Sequence, residues 1–215
     1  MAWINSDDYY APGTFKTVAK TFIQNKTEWV AGKCYIIEMD GSISQGKSKP
    51  AGDIENWLVT CQYTQPNVFW KRSLWEKSNQ IDETLQYSFD YELWLQFAHI
   101  QPFSFWIDTH LAYFRKQPES KTITSQKQFE VENRLILKRH RNLVKSVPQK
   151  FQVFYQRRGR KANKHLQQLD QTDSVVTNIF QAVYIAPWYL FRPHFYKRLW
   201  KHRRKILQAC KSKWQ

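Results

Sequence analysis

Two adjacent carboxylates stand close to the start of the chain, at the end of an apolar stretch. Asp7 and Asp8 follow residues 2–4, Ala-Trp-Ile, which have the apolar character of a buried strand. Acidic side chains at a strand end are typical of binding sites in open α/β sheets, where ligands lie beyond the ends of the strands. A helix-capping turn, in which a carboxylate accepts backbone N–H groups, is the alternative for this pair taken in isolation.

A second pair of acids, Asp90 and Glu92, opens a segment with the composition of an amphipathic helix. The segment covers residues 89–98 and carries both acids in its first turn, where they suit the helix dipole. Side chains two residues apart on a helix point in different directions, so both carboxylates are not expected to face one ligand. Taken alone, Asp90 is typical of a helix N-cap or of a first-turn acid.

These acids need a framework, and the chain predicts an alternation of helices and short strands. Apolar residues at helical spacing, and turn residues between β-prone stretches, define the elements. Helices are predicted over residues 12–24, 53–61, 72–78, 89–98 and 126–144, and strands over 2–4, 29–39, 42–45, 103–107 and 111–115, the last two joined by a turn at 108–110. The predicted fold class is α/β.

Charge divides the chain into two parts. Residues 1–133 carry 13 Lys and Arg against 16 Asp and Glu, whereas residues 134–215 carry 20 Lys and Arg against two Asp. Beyond Pro148 the sequence is basic, aromatic and helix-forming, so we expect a domain over residues 1–147 and a helical tail over residues 148–215.

The tail admits three interpretations. Its aromatic residues alternate with Arg and Lys, and they include Trp188, Tyr189, Phe191, Phe195, Tyr196 and Trp200. A solvated basic helix and an interfacial helix on anionic lipid both fit this pattern. Nucleic-acid binding through phosphate neutralisation and base stacking is disfavoured, because no recognised nucleic-acid motif accompanies the basic residues.

Cysteine spacing and apolar stretches bear on the compartment. Cys34, Cys61 and Cys210 are widely spaced, so the pattern suggests neither a disulfide framework nor a zinc site. The first residues lack the basic-then-apolar order of a secretory signal, and the longest apolar-leaning run, residues 179–191, is too short to span a bilayer. We expect a cytoplasmic protein, with peripheral contact at the inner face of the membrane left open.

Four blocks of the chain together resemble successive blocks of family 2 glycosyltransferases, which have the GT-A fold. They are WINSDDYYAPG at residues 3–13, QPNVFWKR at 65–72, YSFDYELWL at 87–95 and LAYFR at 111–115. Their order and separations also match that family, and the resemblance covers roughly residues 1–135. It implies an incomplete GT-A-like fold followed by a helical C-terminal tail.

The resemblance implies a metal-dependent site in the first block. In that family an Asp-Asp motif ends a central strand and holds a divalent cation on the diphosphate of a nucleotide sugar. By position, Asp8 is the expected principal ligand, with Asp7 and Asn5 near the ribose or in the metal shell. Mg²⁺ or Mn²⁺ favours carboxylate oxygens and neutralises the charge of a diphosphate leaving group, and substrate phosphates and water would complete the coordination.

The third block implies the catalytic base. Asp90 matches the family position of the group that removes a proton from the acceptor hydroxyl as its oxygen attacks the anomeric carbon. A single displacement of this kind inverts the anomeric configuration and needs one base, with Glu92 as the fallback. Substrate contacts are expected from Gln65 and Asn67 on the acceptor side, from Trp70 or Trp94 as an apolar wall for a sugar, and from Arg115.

Two departures from the family bear on these expectations. Many relatives have a metal-ligating His two residues after the Arg of the fourth block, whereas this chain has Gln117, so metal binding is expected to be weaker or different. The family also begins with a βα unit that binds the nucleobase and ribose, for which Met1 leaves no room. A split or truncated gene, or a separately encoded N-terminal half, is therefore expected.

The resemblance implies an inverting, metal-dependent glycosyltransferase. Its substrates would be a nucleotide-diphosphate sugar and a saccharide or lipid-linked acceptor. The alternative is a non-catalytic basic binding module that retains the fold and binds an anionic membrane or nucleic acid.

Overall fold

The polypeptide forms two units, Met1–Lys145 and Ser146–Gln215. The structure is a computed structural model, and it describes residues 1–46, 48–167, 175–191 and 193–211. The division falls two residues before the domain boundary expected from the change in composition.

The first unit alternates short strands with helices. Its strands are β1 (Tyr9–Tyr10), β2 (Trp29–Ile37), β3 (Ile43–Gln45), β4 (Val68–Trp70) and β5 (Phe105–Arg115). Its helices are α1 (Thr14–Gln24), α2 (Ile54–Trp57), α3 (Arg72–Lys77), α4 (Phe89–Ile100), α5 (Lys121–Thr124) and α6 (Gln126–Arg139), with 3₁₀ helices at Gln65–Asn67 and His140–Leu143. The α/β class predicted from the sequence is confirmed.

The strands of this unit form one mixed sheet, which brings the acidic segment to a particular strand end. The order is β1-β5-β2-β3, with β4 also paired to β2. Strands β2 and β5 run parallel, so both end at the same edge, where Ile37 pairs with Arg115. Tyr9 in β1 pairs with Tyr113 in β5, and this pairing sets Asp7 and Asp8 at the same edge.

The core of the first unit is aromatic. Trp29, Trp57, Trp94 and Phe97 are fully buried, and the ring centroid of Trp29 lies 5.7, 6.5 and 5.8 Å from those of the other three. Trp29 Nε1 donates a 3.0 Å hydrogen bond to the carbonyl of Gln101, so its polar atom is satisfied. Burial of a large apolar side chain stabilises a fold by roughly 1.5–3 kcal/mol, and these rings therefore fix α4 against the sheet.

Two predicted strands at residues 103–107 and 111–115 are one continuous strand, β5. The residues expected to turn, 108–110, instead form an irregularity in the β2–β5 ladder opposite Gly32 and Lys33. Lys33 Nζ lies 2.7 Å from the Asp108 carboxylate, which anchors the bulged segment. A Cβ at Gly32 would lie 2.9 Å from the carbonyl oxygen of Thr109, so the bulge packs where only glycine fits.

The strand predicted at residues 2–4 is also corrected. These residues have no regular secondary structure. Met1 instead exchanges two backbone hydrogen bonds with Trp70, one of them 2.9 Å from Trp70 N to Met1 O. The first residues therefore run beside β4 without forming a strand of their own.

The second unit is helical. It contains α7 (Val147–Gln167), α8 (Val175–Ile185), α9 (Pro193–Lys201) and α10 (Arg203–Lys211), with a 3₁₀ helix at Pro187–Phe191. Its buried core consists of Ala162, Leu166, Ala182, Ala186 and Phe195. Within the described ranges, no helix combines the length and apolar character needed to cross a membrane.

Candidate active site

A cleft of about 780 Å³ opens at the acidic edge of the sheet. Among the site residues predicted from the sequence, Asn5, Asp7, Gln65 and Asp90 line it. These residues lie up to 85 positions apart in the sequence, and the fold places them all on the walls of one cleft. The cleft is therefore the natural place to test the predicted chemistry.

Asp8 is buried next to the cleft and is tied to the end of β5. Its side chain accepts a 2.9 Å hydrogen bond from the backbone N–H of Arg115 and a 3.4 Å contact from Asn5 Nδ2. Burial raises the pKa of Asp8 to about 6, and the Arg115 amide opposes that rise. Asp8 is thus a carboxyl group whose charge is costly unless a cation or further donors accompany it.

Asp7 is the member of the pair on the cleft wall. Gln117 Nε2 lies 3.4 Å from Asp7 Oδ2. Gln117, which stands where the family 2 resemblance leads one to expect a His, therefore lies beside the acidic pair. Asp7 therefore lines the cleft, while Asp8, the predicted principal ligand, is 8% exposed beside it.

Asp90 lies in the first turn of α4 and faces the same cleft. Its Oδ1 accepts a 2.7 Å hydrogen bond from the backbone N–H of Tyr91. Burial raises the pKa of Asp90 to about 6, and the backbone N–H groups of Tyr91 and Asp90 itself lower it in part. A carboxyl group poised close to neutral pH has the property that a general base needs.

Glu92 does not line the cleft, in agreement with its spacing of two residues from Asp90 on the same helix. Its Oε1 lies 2.7 Å from Nε2 of His140, and the Glu92 side chain is buried. The pair joins α4 to the 3₁₀ helix that follows α6. The expectation that Glu92 contacts substrate or replaces Asp90 as the base is not supported by its placement, because its carboxylate lies outside the cleft lining and contacts the His140 ring.

The two predicted acceptor-side amides have different surroundings. Gln65 lines the cleft, and its Nε2 donates a 2.6 Å hydrogen bond to the carbonyl of Trp3. Asn67 is fully buried, and its Nδ2 donates to the carbonyl of Gly32 in β2. Asn67 holds the 3₁₀ helix against the sheet, so its predicted contact with substrate is corrected.

Trp70, Trp94 and Arg115 also differ from the prediction. The two indoles are 2% and 0% exposed, so neither presents a face to a sugar. Trp94 stacks instead on Trp3, with ring centroids 5.4 Å apart. The guanidinium of Arg115 lies over the ring of Tyr9, 5.9 Å from its centroid. The contact of Arg115 with the acidic pair is made by its backbone N–H, which donates to Asp8.

The apolar wall of the cleft comes from aromatic residues that the sequence did not single out. Tyr87, Phe89 and Phe129 line it, and the rings of Tyr87 and Phe129 meet edge to face with centroids 5.4 Å apart. Tyr87 and Phe89 stand within the third family block, next to Asp90. Proximity to that acid was the only signal that pointed to them, while nothing in the sequence pointed to Phe129.

Glu132 in α6 holds the backbone just before Asp90. Its two carboxylate oxygens accept hydrogen bonds from the N–H groups of Gln86, Tyr87 and Ser88, at 2.8, 2.9 and 2.7 Å. Ser88 is the N-cap of α4, and its own side chain makes no capping hydrogen bond. The Glu132 carboxylate on α6 is therefore the acceptor for the backbone N–H groups that lead into α4, in place of a capping side chain from Ser88.

A divalent cation fits this donor set only with help from the substrate. Asp7, Asp8, Asn5 and Gln117 offer carboxylate and amide oxygens, which suit Mg²⁺ or Mn²⁺. In the described part of the chain, no cluster of three or more His, Cys, Asp or Glu could hold a metal by itself. The described residues therefore do not form an all-protein cage, and water or a bound ligand would have to complete the coordination of a cation here.

Solved structures with this architecture include those of a glycosyltransferase. The chain is similar to S. aureus TarS, a wall teichoic acid glycosyltransferase. It is 17% identical to the crystal structure of TarS 1–349, with a TM-score of 0.53, over 98% of this chain and 65% of that one. For a second TarS crystal structure the values are 14% identity and a TM-score of 0.54, over 97% and 38% of the two chains.

At these identities the likeness shows the fold, which is a glycosyltransferase-like α/β fold. The chain spans slightly less than two thirds of one TarS chain and 38% of the other. No protein-family model and no curated protein sequence matches the chain.

Proposed function

We propose that the chain is part of an inverting, metal-dependent glycosyltransferase of the family 2, GT-A type. It would transfer a sugar from a nucleotide-diphosphate sugar to a saccharide or lipid-linked acceptor. The observation that carries the proposal is that Asp7 and Asp90, 83 positions apart, line one cleft. The glycosyltransferase-like fold adds support.

Asp90 is the proposed general base. It accepts the proton of the acceptor hydroxyl while that oxygen forms a bond to the anomeric carbon and the nucleoside diphosphate departs with the electron pair of the broken bond. The raised pKa, about 6, leaves the carboxylate deprotonated at neutral pH but basic enough to take the proton. One displacement inverts the anomeric configuration, and no enzyme nucleophile is required.

Asp7, Asp8, Asn5 and Gln117 are the proposed residues for the cation. Bound Mg²⁺ or Mn²⁺ would neutralise charge on the diphosphate leaving group. Asp8 keeps the segment on the end of β5 through the Arg115 amide, so that Asp7 is presented to the cleft. Tyr87, Phe89 and Phe129 provide the apolar surface against which a sugar ring can pack.

Nucleoside diphosphate release from a panel of nucleotide sugars in the presence of Mn²⁺ tests the proposed reaction. We expect Asp90→Asn to slow release by about a hundredfold or more, because the base is lost while the cleft is unchanged. The matched control is Asp40→Asn, which alters an exposed acid in the hairpin between β2 and β3. Equal rates for Asp90→Asn and Asp40→Asn would contradict the assignment.

Mn²⁺ binding tests the site without requiring turnover. Water-proton relaxation measures the affinity of the chain for Mn²⁺ in the presence of uridine diphosphate. We expect Asp7→Asn to weaken this binding by about tenfold or more, since even the loss of a group that only supports a metal ligand typically costs about that much. An unchanged affinity in Asp7→Asn would contradict the metal assignment, and Asp40→Asn again serves as the control.

A further inference from the structure

The second unit exposes aromatic side chains next to its own core. In α9, Phe195 is 1% exposed and belongs to the core, and Leu199 packs against the same cluster. Tyr196 and Trp200, one residue further on in each case, are 53% and 69% exposed. The helix therefore has an apolar face that the core of its own unit leaves uncovered.

This exposed face continues beyond α9. The hydroxyl of Tyr196 donates a 2.6 Å hydrogen bond to the carbonyl of Leu190, which fixes α9 against the 3₁₀ helix. In that 3₁₀ helix, Leu190 is 42% and Phe191 is 87% exposed. On the other side, the guanidinium of Arg203 in α10 covers the Trp200 ring at 4.7 Å and donates to the Trp200 carbonyl.

Basic residues surround these rings, and acids are absent from the same stretch of sequence. Residues 193–211 contain seven Lys and Arg and neither Asp nor Glu. Lys197, Lys201, Arg203 and Arg204 are exposed. We call the surface formed by Leu190, Phe191, Tyr196, Trp200 and these four basic residues the aromatic-basic patch.

We infer that the aromatic-basic patch docks on an anionic lipid bilayer, an interaction that goes beyond the proposed transfer reaction. Arg and Lys attract anionic headgroups, and the exposed rings enter the boundary between headgroups and acyl chains. A second copy of the chain is a poor partner, because residues 146–215 carry 15 Lys and Arg against two Asp and would repel their like.

The composition of the patch also favours lipid over nucleic acid. Both partners attract basic side chains, and both accept aromatic rings. Leu190, at 42% exposure, has no ring to stack on a base and gains free energy only where apolar surface leaves water. Of the six aromatic residues noted in the sequence of the tail, Phe195 lies in the core and Trp188 packs against it. The side chain of Tyr189 lies outside the described residues.

Co-sedimentation of the full chain with vesicles tests the inference. Vesicles of phosphatidylcholine with about 30% phosphatidylglycerol are compared with vesicles of phosphatidylcholine alone. We expect binding to the anionic vesicles only. The double variants Phe191→Ser/Trp200→Ser and Lys197→Glu/Lys201→Glu should each weaken it by about tenfold or more, because one removes the inserted rings and the other reverses the attraction.

Matched controls come from exposed residues of the first unit. Phe103→Ser removes a ring that is 66% exposed, and Lys16→Glu/Lys20→Glu reverses two exposed charges on α1. Both should bind vesicles as the parent chain does, and circular dichroism checks that every variant remains helical. Quenching of Trp200 by brominated lipid, taken as the difference from Trp200→Phe, should report insertion of the ring.

Three results would overturn the inference. The first is equal binding to neutral and anionic vesicles, or to neither. The second is binding that Lys197→Glu/Lys201→Glu weakens but Phe191→Ser/Trp200→Ser leaves unchanged, since it would show adsorption by charge alone. The third is preferential binding to a thymidine oligonucleotide that the ring-deleted variant loses, which would assign the patch to nucleic acid.

Discussion

Asp90 combines a position on the cleft wall with a protonation equilibrium that opposes folding at neutral pH. Burial raises its pKa from an ordinary value of 3.8 to about 6, so folding disfavours the charged form. Below about pH 4 the carboxyl group is protonated in both the folded and the unfolded chain, so its burial then carries no electrostatic cost. As pH rises through about 6 the group must ionise inside the fold, and the free energy of unfolding falls. At neutral pH the position of Asp90 in the cleft therefore lowers the free energy of unfolding.

Asp90→Asn should therefore stabilise the chain while it removes the proposed base. At pH 8 we expect the free energy of unfolding to rise by about 1–3 kcal/mol, the equivalent of roughly two pKa units, because the amide carries no charge to desolvate. At pH 4 the difference between variant and parent should largely vanish. Urea unfolding followed by Trp fluorescence at both pH values measures it.

The matched variant for this measurement is Asp40→Asn. Hydrogen bonds from Ser42 lower the pKa of Asp40, so the charged form is favoured by folding at that site. Its replacement should give no gain at pH 8. A loss of stability in Asp90→Asn that is the same at pH 4 and pH 8 would show that desolvation of this carboxylate is not the governing effect.

At the level of elements, the start of α4 depends on a partner from a distant helix. Glu132 on α6 receives three backbone N–H groups from residues 86–88, directly before the first turn that carries Asp90. A hydrogen bond to a charged acceptor contributes roughly 1.5–3 kcal/mol to stability. The contributions of three that share one carboxylate are not additive. The position of Asp90 is thus coupled to α6.

Glu132→Ala should loosen this junction. We expect the free energy of unfolding to fall by about 2–4 kcal/mol, because three backbone N–H groups lose the Glu132 carboxylate as their acceptor. The amide hydrogens of residues 86–88 should then exchange faster with solvent. Glu132→Gln keeps one acceptor oxygen and should lose less. Hydrogen exchange followed by mass spectrometry measures the local effect.

The control for this prediction lies on the same helix. Glu130 makes an exposed ion pair with Arg134 at 3.6 Å, and such pairs contribute little to stability. Glu130→Ala should leave exchange at residues 86–88 unchanged. Equal exchange in Glu132→Ala and Glu130→Ala would contradict the proposed role of Glu132 in holding residues 86–88.

The elements themselves were largely predictable, while their contacts were not. Helices α1 and α4 end within two residues of the predicted limits, because local apolar spacing determines where a helix forms. Strand β5 was predicted as two strands, since a bulge and a turn have similar residues and only the partner strand distinguishes them. The contact between Glu132 and residues 86–88 has no local signal at all.

The same limit holds for the candidate site. That Asp7 and Asp90 share a cleft followed from the family resemblance and not from spacing, because nothing in a single sequence gives the distance between residues 83 positions apart. Trp70 and Trp94 were predicted to contact a sugar, yet both are buried. An indole suits a core and a sugar site equally well, so residue type alone could not separate the two roles.

For the whole molecule, each of the two units has a hydrophobic core cluster of its own. The first unit has a core cluster that includes Leu111, and the second has one that includes Phe195. Each of these side chains is almost fully buried, at 0% and 1% exposure. Truncation of a buried Leu or Phe typically costs about 2–5 kcal/mol, and the cost falls first on the cluster that loses the side chain.

Phe195→Ala and Leu111→Ala should therefore separate the two proposed activities. Phe195→Ala removes the support of α9, so vesicle binding should fall while Mn²⁺ binding with uridine diphosphate persists. Leu111→Ala weakens the strand whose end holds Asp8, so the opposite pattern is expected. Hydrogen exchange in each variant locates the loosened unit, and loss of both binding activities in both variants would mean that the units fold as one cooperative whole rather than as two.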